Sequence, residues 1–187
     1  HKVFGETLAV LAGDAMQPEA FRLILQARGL SADNRIEAAL ILARACGGDG
    51  MVAGQVLDTI CHVKDEAGLA LLNRLKTGAM ISAAAELGCV ASKMPMYWRQ
   101  QAVLFAEQLG LAFQIRDDML DVIGTDEFGK PIGSDREEGK VTYVDLLGLE
   151  GCDRAVLDCT ERAKAAVRAL PLIHICRCRR SQHSRTW

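Results

Sequence analysis

Apolar residues recur at spacings of three and four through almost the whole chain, and the period-two alternation of strands is nearly absent. That pattern predicts an all-α fold. From Glu6 to about Arg28 it runs through Leu8, Leu11, Ala12 and Ala15; Pro18 within it is expected to kink the helix or start a second one, and Gly29 to end it. Ser31 is placed as the N-cap of the next helix, which carries Ile36, Leu40, Ile41 and Ala45 and stops at Gly47-Gly48. Further helices are predicted over residues 49–60, 66–88 and 97–122. A polar, Gly-rich loop then spans residues 124–140, followed by a short helix over 143–147 and a longer one over 153–170.

Composition narrows the class. Half of the 187 residues are hydrophobic, too many for a disordered chain. No apolar run approaches the ~18 residues of a membrane span. With 22 Lys+Arg against 24 Asp+Glu, the net charge of −2 gives no bulk attraction to nucleic acid. Length fits about one domain. The seven Cys (46, 61, 89, 152, 159, 176 and 178) are odd in number and scattered through apolar stretches, the pattern of reduced thiols packing as small hydrophobes. The chain opens His1-Lys2-Val3-Phe4 without a charged-then-apolar leader, so the expectation is a cytoplasmic protein, or a plastid one if the source is a plant.

After Pro171 the helical pattern stops. Residues 171–187 hold four Arg, no acid and a Cys176-x-Cys178 pair beside His174, without the paired spacing of a zinc module. A basic tail also suits phosphate. The reading adopted is a main unit over 1–170 and an atypical basic tail over 171–187, disordered or non-native, with no chemistry assigned to it.

The densest chemistry lies in Phe113-Gln114-Ile115-Arg116-Asp117-Asp118-Met119-Leu120-Asp121. Asp117 and Asp121 share one helix face, with Asp118 about 100° round. Three carboxylates so close repel unless cations compensate them. Hard oxygen donors suit Mg²⁺, yet an acidic triple also suits a solvated face, and spacing alone leaves both open. The flanking Phe113, Ile115, Met119, Leu120 and Val122 favour Mg²⁺ by marking an otherwise buried helix. Basic residues follow a second pattern: Lys76-Thr77 in mid-helix, and Gly129-Lys130 and Gly139-Lys140 around the loop, each a point charge for phosphate or an ordinary surface residue. Gln55 and Asp58, beside Gly54, read as a polar face with a close helix contact at the glycine, or as a further part of a site.

In order along the chain stand Lys2-Val3-Phe4-Gly5-Glu6, Leu11-Ala12-Gly13-Asp14-Ala15, Gly54-Gln55-x-x-Asp58 and Lys76-Thr77-Gly78-Ala79. Then come Phe113-Gln114-x-x-Asp117-Asp118-x-x-Asp121, Gly129-Lys130, Gly133-x-Asp135 and Gly139-Lys140-x-Thr142-Tyr143. This ordered set, over about residues 1 to 170, resembles the trans-isoprenyl diphosphate synthase (polyprenyl synthetase) family, closest to its farnesyl and geranylgeranyl diphosphate synthases. The resemblance implies an all-α helical bundle of isoprenoid synthase type around a central cavity, usually a homodimer. It implies a prenyltransferase that condenses an allylic diphosphate with isopentenyl diphosphate, with Mg²⁺ assisting ionisation. Asp117, Asp118 and Asp121 match the second aspartate-rich motif and would hold the metal. Lys76, Thr77, Gln114, Lys130 and Lys140 would contact the allylic diphosphate. Lys76, Asp117 and Lys130 would be catalytic.

The family's first aspartate-rich motif, the Arg pair after it and the upstream basic residues that bind isopentenyl diphosphate all belong before His1. Its usual C-terminal helices give way here to the unpatterned tail. The expectation is therefore a C-terminal portion, incomplete on the N-terminal side of the bundle and with little or no turnover by itself. The alternative is a non-catalytic helical partner subunit of an active synthase.

Overall fold

A computed structural model describes residues 1–61, 63–123 and 140–170. Among these, every regular element is helical: α1 (Glu6–Leu25), α2 (Ala32–Cys46), α3 (Met51–Val56), α4 (Glu66–Asn73), α5 (Ala79–Ala91), α6 (Met96–Ile123) and α7 (Tyr143–Ala169). Two helices widen into π-helical turns at their C-terminal ends: Leu57–Cys61 after α3, and Arg74–Gly78 between α4 and α5. The expectations for the loop and for the tail 171–187 lie outside the described residues, and Lys130 with them. No described helix is long and apolar enough to cross a membrane.

Local chemistry sets the ends. Ser31 caps α2 by accepting a hydrogen bond from Asn34 N–H, as its position predicts. Thr142 and Asp145 form a reciprocal capping box at the start of α7. Pro18 neither breaks α1 nor starts a new helix; the helix runs through it to Leu25. The short and the longer helix expected over 143–147 and 153–170 both form, as the two arms of α7 on either side of a kink at Gly148. There φ is +65°, a value that costs an L side chain strain but glycine almost none.

The core lies mainly between α6 and α7, its centre made of Leu69, Ile115, Met119, Tyr143 and Cys152. A second layer, where α5 packs between α2 and α6, is made largely of small residues: Ala38, Ala45, Ala83, Cys89, Ala102 and Ala106. Small side chains let these helices approach closely. Gly78 and Gly110 take this furthest, since a β-carbon on Gly110 would lie 3.4 Å from the Gly78 Cα. The described cysteines are free thiols, with Cys46, Cys89, Cys152 and Cys159 buried as small apolar groups and Cys61 exposed. Burial raises the thiol pKa of Cys89, Cys152 and Cys159, which keeps them protonated and inert.

Helix α1 departs from the expected packing. Leu8, Val10, Leu11, Met16, Leu23 and Leu25 stay exposed, Phe21 and Ile24 are half-buried, and none of its residues is fully buried. It packs on α2, to which Gln17 Nε2 donates a hydrogen bond at the Cys46 sulfur.

Ile115 is 2% exposed and Leu157 65%. Ile115→Ala is expected to lower unfolding free energy by about 2–5 kcal/mol in urea titration. Leu157→Ala is expected to change it by less than about 0.5 kcal/mol.

Candidate active site

The stripe Gly110, Gln114, Asp117 and Asp121 recurs at helical spacing along α6. Where Gly110 meets Gly78, the π-helical turn that holds Lys76 and Thr77 is pressed against that stripe. One turn further on, the Thr77 hydroxyl donates to Gln114 Oε1 at 3.1 Å. A π-helical turn carries one residue more than an α-turn, so it displaces the side chains on it from the register of the flanking helix.

On the other side of Lys76 stands α3. A β-carbon on Gly54 would lie 2.2 Å from the Lys76 backbone nitrogen, so only a glycine lets the two backbones touch. The close helix contact expected at Gly54 is therefore present. Four residues on, in the first π-helical turn, Asp58 reaches Lys76: its Oδ2 accepts from Lys76 Nζ at 2.7 Å and from Lys140 Nζ at 3.3 Å. Gln55, by contrast, is exposed. Burial pushes the Asp58 carboxyl upward in pKa, but the hydrogen bond and charge of Lys76, with Lys140 beside it, outweigh this and hold it below the ordinary value of 3.8.

These groups enclose a cavity of about 170 Å³. Lys76, Lys140, Asp58, Gln114, Asp117 and Asp118 bring charge and polarity to it, while Leu57, Val63, Leu69 and Leu72 give it apolar walls. The three acids of α6 do not share one environment. Asp117 faces the cavity and is half-buried. Asp118, 6% exposed, also borders it, but its Oδ2 accepts the Tyr143 N–H at 2.8 Å. This carboxylate thus caps the start of α7, where helix dipole and unsatisfied N–H both favour an anion. Asp121 is buried at 8% exposure outside the cavity lining. Thr77 meets the site through its hydrogen bond to Gln114, and Arg116 points away to Asp153 at 3.4 Å on the surface.

Among the described residues, no three His, Cys, Asp or Glu side chains close into a cage for a metal ion. The donors present are hard carboxylate oxygens beside a small polar cavity lined by two lysines. That set fits Mg²⁺, which takes one or two carboxylates and fills the rest of its shell with water and phosphate oxygens. Phe113 is 58% exposed, and Phe105 lines a separate apolar groove between α6 and α7 with Leu109 and Val167.

Comparison with solved structures gives the class: the all-α architecture is that of the isoprenyl diphosphate synthases. An FPP/GFPP synthase from Zymomonas mobilis superposes with a TM-score of 0.76 at 32% identity, over 92% of this chain and 59% of the other. A geranyltransferase from Helicobacter pylori, in complex with magnesium and isoprenyl diphosphate, gives 0.74 at 31% identity over 90% of this chain and 56% of that one. The chain belongs to the polyprenyl synthetase family, whose model matches residues 1–171. Among curated relatives, the farnesyl diphosphate synthase of Haemophilus influenzae is 38% identical over 91% of this chain and 60% of its own length. That of Escherichia coli is 41% identical, over 91% and 59%. The chain thus spans a little over half the length of the relatives it matches.

Gly54→Ala forces the Lys76 backbone away and is expected to destabilise the fold by about 1–3 kcal/mol, or more if α3 cannot shift; thermal unfolding measures it. The Asp58 pairs also set an acid limb. Because folding lowers this carboxyl's pKa, their contribution is complete above the ordinary value of 3.8 and fades as pH falls through the lowered one. The urea midpoint of Asp58→Asn is therefore expected to fall less steeply than that of the parent below that pH.

Proposed function

We propose that this chain belongs to a trans-prenyltransferase of the farnesyl/geranylgeranyl diphosphate synthase type. The reaction condenses an allylic diphosphate with isopentenyl diphosphate. One observation carries this reading: Lys76 and Lys140 converge with Asp117 and Asp118 around a single cavity. Paired ammonium groups suit diphosphate oxygens, and the neighbouring carboxylates suit the cation that accompanies them. The relatives' names, and the magnesium and isoprenyl diphosphate in the Helicobacter pylori structure, support it.

In the reaction the allylic C–O bond breaks with its electron pair leaving on the diphosphate. Lys76 and Lys140 would receive that charge, with Thr77 and Gln114 held ready by their mutual hydrogen bond. Lys130, outside the described residues, joins them by resemblance alone. Asp117 with Asp121 one turn on, and Asp118 between them, would hold Mg²⁺. When bound, Mg²⁺ neutralises the leaving group's charge. The apolar walls from Leu57, Val63, Leu69 and Leu72 strengthen these charge interactions by lowering the local dielectric. A homodimer is the assembly proposed on the same resemblance, and the exposed apolar side chains of α1 are consistent with it.

Isothermal calorimetry with Mg²⁺ and inorganic pyrophosphate tests the reading. The chain is expected to bind pyrophosphate in a Mg²⁺-dependent way, and Asp117→Asn to weaken that binding at least about tenfold. Product formation from geranyl and isopentenyl diphosphates by these 187 residues alone is expected to be small beside that of a full-length relative. An absence of Mg²⁺-dependent pyrophosphate binding would instead support the non-catalytic partner subunit.

A further inference from the structure

Asp58 touches both lysines of the cavity with one oxygen atom, although it lies 18 residues from Lys76 and 82 from Lys140. Its two partners are held very differently. Lys76 shares a fixed frame with Asp58, because α3 and the second π-helical turn meet backbone to backbone at Gly54. Lys140 stands two residues ahead of the α7 cap, and the Asp58 bond ties its ammonium group to that frame. The Asp58 side chain itself is only 11% exposed.

Two opposing effects would act on an anion entering the cavity. The Asp58 charge repels it, but it also cancels the repulsion between two neighbouring ammonium groups and pins two long, rotamer-rich side chains. With Mg²⁺ neutralising much of a diphosphate's charge, the repulsive effect shrinks and the pinning remains. Resting on the diphosphate reading above, we propose that Asp58 is a positioning residue, a fixed anionic post that holds Lys76 and Lys140 together as a ready-made socket for the diphosphate. It touches neither substrate nor metal; it acts through the lysines.

The test is a double-mutant cycle on Mg²⁺-dependent binding of inorganic pyrophosphate by the 187-residue chain, followed by calorimetry, with circular dichroism confirming that each variant is folded. Asp58→Asn is expected to weaken binding about tenfold in the parent but less than about threefold in the Lys140→Ala background, because the post then has one lysine fewer to hold. Asp58→Glu keeps the charge on a longer stem and is expected to fall between parent and Asp58→Asn; it takes the place of the latter in the cycle if that variant does not fold. Equal or tighter binding by Asp58→Asn overturns the proposal, since Asp58 would then be only a competitor for the lysines. So do additive losses in the cycle. If the parent chain itself binds no pyrophosphate with Mg²⁺, the diphosphate reading fails and takes this proposal with it.

Discussion

The arrangement depends on one buried hydrogen bond, from the Tyr143 N–H to the Asp118 carboxylate. It fixes where α7 begins on the surface of α6, in the core centred on Ile115 and Met119. Because Thr142 and Lys140 directly precede that point, the same bond decides where Lys140 enters the cavity. A carboxylate at a helix N-terminus meets both a dipole and a donor without another partner, so the anchor is stable where an isolated buried acid would not be. One of the three acids expected to hold a metal is thus also the cap of a neighbouring helix.

The charge pattern of α6 follows from this double duty. A helix that must bury Ile115 and Met119 while presenting Asp117 has its acids at the margin of the core. Cations from elsewhere in the chain, Lys76 and Lys140, line the same cavity as Asp117 and Asp118 and pair with Asp58. Close backbone contacts make that arrangement possible. Glycines at 54, 78 and 110 take van der Waals bulk out of the crossings, and side chains of very different sequence position converge on one small volume.

Much of the fold was legible because it is written in local rules. Ser31 caps, Gly47 ends a helix, and the spacing of Leu, Ile and Ala places α2 and α6 to within a few residues. The acids of α6 were legible as a group for the same reason. What escaped is non-local or needs conformational detail. Pro18 is tolerated within α1, an exposed helix packed mainly on α2. The distinct environments of Asp117, Asp118 and Asp121 depend on which neighbour each meets, and the partner of Asp118 lies 25 residues away. Asp58 could not be told from a polar helix face, because its meaning comes from two lysines far along the chain. The one available signal was Gly54 a turn earlier, a glycine inside a helical pattern that marks a close approach.

The two π-helical turns bear on how such a chain can change over time. Each holds one residue beyond what an α-helix of the same path needs, and an α-helix advances about 100° per residue. Losing one residue from Leu57–Cys61 or Arg74–Gly78 would relax the local backbone yet swing the following side chains to another face. Substitution can therefore tune these segments residue by residue, while a single deletion would rearrange the site as a unit. Length here is under tighter constraint than identity.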